Sequence, residues 1–208
     1  MSYSLKHLLL SATIIFSATA ATADQGFYFG GGLSFSRANS DDSFGSESTD
    51  TSPALGLTFG YRFEKGNAFY GPEADIDLFL GSDFEFNNTP CSAGAIGPYY
   101  CSRDAVIRLR GIYGQSLSNG LEWFGSGGVG IMIGDGAVAP SGITDKGVNA
   151  GFTVGLGLQK SIGRGMLRGE VIYDRLNSSL TKPTEARGFE YEPDYEATTM
   201  KISYILSF

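Results

Sequence analysis

The residues with the most chemistry to offer in this chain are charged, and they come at alternate positions. Glu73, Asp75 and Asp77 are separated by Ala74 and Ile76, and Arg108 and Arg110 by Leu109. A spacing of two is the repeat of an extended chain, on which residues i, i+2 and i+4 share one face. Three carboxylates on one strand can meet two guanidiniums on an antiparallel neighbour, because facing Cβ atoms lie about 4.5–5.5 Å apart. The chemistry this predicts is ion pairing. Arg62, Glu122, Arg168, Glu170, Asp174 and Lys201 occupy the same kind of polar alternate face and join the expected network.

Catalysis lacks a histidine base, and although a carboxylate could in principle activate a serine or water, no constellation points to one. His7 is the only histidine and falls in an N-terminal segment expected to be removed, so a Ser–His pair is not available and no catalytic residue is assigned. Gly125, Gly127 and Gly130 match the G-x-G-x-x-G spacing, but Ile131-Met132-Ile133 continues as a strand where a pyrophosphate site needs a helix. The glycines instead thin a strand so that larger side chains fit opposite. No cofactor or metal ligand set is read. Asp41, Asp42, Glu47 and Asp50, and the later run from Glu190 to Glu196, offer oxygen ligands that could share divalent cations with each other or with phosphate groups of the surroundings. Without EF-hand spacing, solvated loops are the favoured reading. Cys91 and Cys101 are the only cysteines, and in an exported chain they are expected to form a disulfide. It would staple a loop tip around Pro98, Tyr99 and Tyr100, either to present a binding surface or to resist proteolysis.

The elements that must position these residues are strands. Residues 1–23 read as a signal peptide: Lys6, an apolar run from Leu8 to Phe16, and the small residues Ala21-Thr22-Ala23. Residues 24–208 then form one β-rich domain with Gly 30, Tyr 11 and Phe 15. Alternating segments are expected at 27–37, 54–64, 69–80, 105–114, 121–134, 152–159, 166–176 and 199–208. The connections alternate long, short, long. Residues 39–52 are expected to be too polar to bury anything, and tight turns fall at Gly66, at Asn119-Gly120 and at Gly163. A net charge of −7 without a basic stripe argues against a nucleic-acid partner.

Eight strands of about ten residues suit a bilayer crossing, and only a closed barrel lets strands satisfy every backbone group in lipid. The polar face then lines the lumen. Phe27, Phe63, Tyr70, Tyr113 and Trp123 cluster at the expected periplasmic ends as an aromatic girdle. Inward glycines on strands one, two, five and six are expected to leave room for water. The last strand carries Tyr204, Leu206 and Phe208 on its apolar face.

In this terminal pattern and in its loop sorting the chain resembles the eight-stranded outer-membrane barrels: the OmpA transmembrane domain, OmpX, the opacity proteins and porin-family surface antigens. The resemblance implies an all-β, up-and-down transmembrane barrel in the bacterial outer membrane, exported by the general secretory route. It implies Tyr204, Leu206 and Phe208 as a signal to the barrel-assembly machinery, with lipid and lipopolysaccharide as surroundings. The implied role is a non-enzymatic surface protein whose acidic loops serve envelope integrity, adhesion or contact with a host ligand. A narrow diffusion channel is the alternative, and a lipid-modifying enzyme is the least favoured reading.

Overall fold

The computed structural model describes residues 25–41, 47–93, 100–117, 119–138, 143–181 and 194–208. The expected signal peptide lies outside them. Eight long strands run in chain order: β1 Gly26–Asp41, β2 Glu47–Lys65, β3 Ala68–Phe79, β4 Tyr100–Ser116, β5 Leu121–Val138, β6 Ile143–Ile162, β7 Gly165–Thr181 and β8 Asp194–Ser207. Each pairs antiparallel with its sequence neighbour, and β1 also pairs with β8, so the sheet closes. Following register partners from Tyr28 through Gly60, Glu73, Arg110, Gly128, Thr153, Asp174 and Ala197 returns to β1 at Ala38, ten residues further along. That stagger tilts the strands, and eight of them enclose an interior just wide enough for side chains to fill.

Alternation sorts the two faces. Leu33, Phe35, Leu57, Phe59, Leu109, Val129, Leu156, Met200 and Ile202 are exposed on the outer wall, while Ser34, Thr58, Asp75, Arg108 and Lys201 are buried inside. An apolar belt of this extent would aggregate in water and is at home in lipid. The turn at Asn119-Gly120 has φ of 84° and 72°, the left-handed region that asparagine and glycine tolerate best.

The strands extend further at the long-loop end than the alternation suggests. Residues 39–41 and 47–52, expected as exposed loop, are paired strand, and Ser40, Ser48, Asp50 and Ser52 are buried. The correction has a physical cause. Small hydroxyls and one paired carboxylate can line a barrel mouth because their hydrogen bonds are met there: Ser48 donates to the Ser40 carbonyl and Ser52 to Asp50, at 3.2 and 2.7 Å. Likewise β5 and β6 extend through Val138 and from Ile143, and β7 and β8 extend to Thr181 and from Asp194. Asp42, Glu185, Glu190 and Glu192 lie outside the described residues.

Candidate functional site: the charged lumen

The lumen is built in tiers. At the short-turn end Arg62 makes two parallel bonds to Glu122, both 2.8 Å, and a third to Glu64 at 2.7 Å. Gln159 and Ser116 also donate to Glu122, at 2.7 and 2.8 Å, and the Arg62 guanidinium covers the Phe69 ring at 3.8 Å. Above it Tyr28, Phe69, Ile112, Phe124 and Ile205 pack as an apolar layer.

The next tier centres on Glu73, which accepts from Tyr28 Oη and Arg110 at 2.7 Å each and from Arg168. Arg110 also reaches Glu170 at 2.8 Å, and Arg168 donates to Gln159 at 2.9 Å while lying over the Phe124 ring. Beyond it Arg108 bonds to Asp75 at 2.9 Å, to Asp77 at 2.6 Å and to Asp174 at 2.6 Å. Lys201 joins Asp75 and Asp77, and Thr58 and Ser34 donate to the same two carboxylates. The side chains of Arg108, Asp75, Asp77 and Asp174 are all 0% exposed.

Each of the lumen residues named from the sequence turns inward, and the register shows why. Glu73 lies opposite Arg110 and Asp75 opposite Arg108 on β3 and β4. The arginines also reach across the lumen to Asp174 and Glu170 on β7, which spacing along the chain does not reveal. At Gly56, Gly60 and Gly155 the expected room is taken up by neighbouring side chains. A Cβ on Gly56 would sit 2.4 Å from the Lys201 side chain, one on Gly60 2.3 Å from the Tyr28 ring, and one on Gly155 2.5 Å from Glu170. Their missing side chains are the space into which the large ones fold.

A fourth charged tier is not legible in the sequence. Arg103 is buried at the long-loop end, with Nε 2.8 Å from Asp50, Nη1 2.9 Å from Ser36 Oγ and 3.1 Å from Tyr195 Oη, and its guanidinium 4.0 Å over the Phe79 ring. The register shift between Arg103 and Ala105 inverts the alternation of β4 at that point, so that Arg103 faces inward and Asp104 outward. Between this tier and Arg108 lies a second apolar cluster containing Phe84, Val106, Met132 and Leu176.

Outside the barrel, Phe63 stacks on Tyr70 at 5.4 Å, Tyr113 meets Trp123 at 6.4 Å and Phe27 meets Phe59 at 5.8 Å between ring centroids. Phe208 stacks on Phe29 at 5.6 Å, and Tyr204 Oη donates to the Ile162 carbonyl at 3.1 Å. Cys91 and Cys101 are disulfide-bonded, with Cα atoms 5.3 Å apart. No group of three or more His, Cys, Asp or Glu among the described residues has the geometry to hold a metal.

A closed sheet that is apolar outside and charged within is a transmembrane β-barrel. The sequence matches the family model described as outer membrane protein beta-barrel domain over residues 8–203, and the chain belongs to that family. Its place is the bacterial outer membrane. No curated protein matches the sequence. Among solved structures, Neisserial surface protein A shares 11% identity at a TM-score of 0.56, covering 88% of this chain and 97% of its own. Ail, the attachment invasion locus protein of Yersinia pestis, solved in complex with the heparin analogue sucrose octasulfate, shares 12% at 0.52, with 88% and 99% covered. The outer membrane protein AlkL, solved in DMPC lipid bilayers, shares 16% at 0.52, with 93% and 96% covered. At these identities the likeness is one of fold.

Proposed function

We propose that this is a non-enzymatic surface protein whose plugged barrel is a rigid platform for its extracellular segments, which serve envelope integrity, adhesion or contact with an external ligand. The observation that carries the reading is the enclosure of Arg108 by Asp75, Asp77 and Asp174 with no side-chain exposure. A buried cation held by three carboxylates is costly to expose or to move, so the tier blocks a solute path. Export by the general secretory route, directed by residues 1–23, and recognition of Tyr204, Leu206 and Phe208 by the assembly machinery belong to the same proposal. The net charge of −7 favours a cationic or neutral partner over a polysulphated ligand such as the heparin analogue sucrose octasulfate found in complex with Ail.

Planar-bilayer recording of the purified chain tests the platform against the channel. The expected result is no steady ion current. A stable conductance in most insertions would establish the narrow channel instead. In that case the five carboxylates Glu73, Asp75, Asp77, Glu170 and Asp174, against the four cations Arg108, Arg110, Arg168 and Lys201, would favour cations.

A further inference from the structure

Over residues 80–91, in the connection from β3 to β4, the backbone turns in over the mouth of the barrel. Leu80 N–H donates to the Pro53 carbonyl at 2.9 Å, and Ser82 Oγ and Asp83 N–H donate to the Asp50 carboxylate at 2.8 and 3.2 Å. The turn delivers Phe84 to complete burial among Ala38, Val106, Met132, Leu176, Tyr195 and Ala197. These neighbours come from β1, β4, β5, β7 and β8, so one phenyl ring from a connecting segment closes contact between opposite walls of the barrel. It lies directly over the tier that holds Arg108.

Both main-chain polar groups of Phe84 are held by the two cysteines. Its N–H donates to the Cys101 carbonyl at 2.8 Å, and its carbonyl accepts from the Cys91 N–H at 2.9 Å. The disulfide therefore ties together the two chain segments that grip Phe84 from either side. A cross-link spanning a sequence separation of 10 removes much of the loop-closure entropy that would otherwise let this grip open.

We propose that Phe84 is a stopper for the extracellular mouth of the lumen and that the Cys91–Cys101 disulfide is the pin that keeps it seated. The bridge then acts inward, on access to the barrel interior. Arg103 supports the seat from the side, with its guanidinium 5.9 Å from the Phe84 ring centroid and its backbone N–H 2.9 Å from Ser82 Oγ.

The chain carries its own probe. Met132 is 0% exposed against Phe84, whereas Met166 packs at the periplasmic end and Met200 faces lipid at 65% exposure. Hydrogen peroxide transfers one oxygen atom to a thioether, giving the sulfoxide and water, and peptide mass spectrometry reads each methionine separately. The full chain is folded in bilayers and treated in three forms: bridged, reduced and alkylated, and C91S/C101S. The expected result is oxidation of Met132 several-fold faster in both bridge-free forms, with Met166 unchanged. Phe84→Ala should reach the same fast rate with the bridge intact, and combining it with C91S/C101S should add nothing. Equal Met132 rates with and without the bridge would overturn the pin, and a Phe84→Ala protein with Met132 still protected would overturn the stopper. A parallel rise at Met166 would mean general loosening and would also overturn the proposal. The alkylated wild type alters no core side chain, so the test stands even where Phe84→Ala fails to fold.

Discussion

Arg108 on β4 and Asp174 on β7 meet across the lumen by three hydrogen bonds, Nε to Oδ1 at 2.9 Å, Nε to Oδ2 at 3.1 Å and Nη2 to Oδ2 at 2.6 Å. The same guanidinium turns its remaining nitrogen to Asp75 and Asp77 on β3. Two walls of the barrel that share no backbone ladder are thus joined through one planar side chain. Arginine suits this better than lysine, since its rigid fork can serve several carboxylates in a fixed plane.

Arg108→Ala should therefore destabilise the barrel strongly. Removing one partner of a buried ion pair costs about 3–5 kcal/mol, and here Lys201 still serves Asp75 and Asp77 while Asp174 loses most. Urea unfolding in lipid bilayers should show a clear drop in midpoint. Adding Asp174→Asn to Arg108→Ala should restore part of it, because the uncompensated buried charge is gone. A double variant weaker than Arg108→Ala would contradict the assignment of the cost to Asp174.

The glycines give a prediction of opposite signs on two faces. Gly60 faces inward, where a Cβ would fall 2.3 Å from the Tyr28 ring and 2.9 Å from the Pro72 carbonyl, while at Gly127 on the outer wall nothing lies within 4 Å. Gly60→Ala should lower stability by about 1–3 kcal/mol, the usual cost of overpacking. Gly127→Ala should be neutral or slightly stabilising, since it reduces the freedom of the unfolded chain without a clash. Unfolding midpoints of the two variants, measured side by side, check the contrast.

Alternation made the barrel and its central charges legible, because a period of two is preserved wherever a strand stays regular. Glu73 to Asp77 and Arg108 to Arg110 lie in uninterrupted register, and their pairing followed from neighbouring strands alone. Arg103 was hidden because the irregularity between it and Ala105 puts it on the inner face, out of step with Arg108 and Arg110. Asp50 was hidden because its surroundings are rich in serine, threonine and aspartate, a composition shared by solvated loops and by a hydrogen-bonded mouth. Glycine at these positions is compatible both with a thinned strand and with space for water. Only packing decides between these, as at Gly56, where the Lys201 side chain occupies the space.

Asp50 should prove to be the hub of the mouth. Its carboxylate accepts from Ser52, Ser82, the Asp83 N–H and Arg103, and the side chain is 3% exposed. Asp50→Ala strips four donors of their acceptor at once and leaves Arg103 buried without its carboxylate, so the turn carrying Phe84 should loosen. Hydrogen exchange at the amides of Leu80, Asp83, Phe84 and Cys91 should accelerate, with β3 and β4 below Ala105 unchanged. Exchange rates equal to wild type at those four amides would remove Asp50 from this role.

Phe208 should matter to folding through the seam where the barrel closes. Its N–H donates to the Phe27 carbonyl at 2.9 Å and its ring stacks on Phe29, so it fastens the end of β8 to the start of β1. Gly26 lies so close that a Cβ there would meet the Phe208 carbonyl oxygen at 2.3 Å. Deleting Phe208 removes one ladder bond and one aromatic pair at the last point of closure, where each residue of β8 must find β1 rather than solvent. An aromatic pair of this kind contributes about 0.5–1.5 kcal/mol beyond its buried area. Phe208→Ser should therefore lower the yield of folded barrel more than Phe208→Tyr, judged by heat-modifiable migration on a gel after refolding into lipid without any other protein. The same comparison in cells separates the seam from recognition by the assembly machinery. If Phe208→Ser refolds normally in pure lipid yet fails to accumulate in the outer membrane, the residue acts as an address. If both fail together, the seam accounts for the loss.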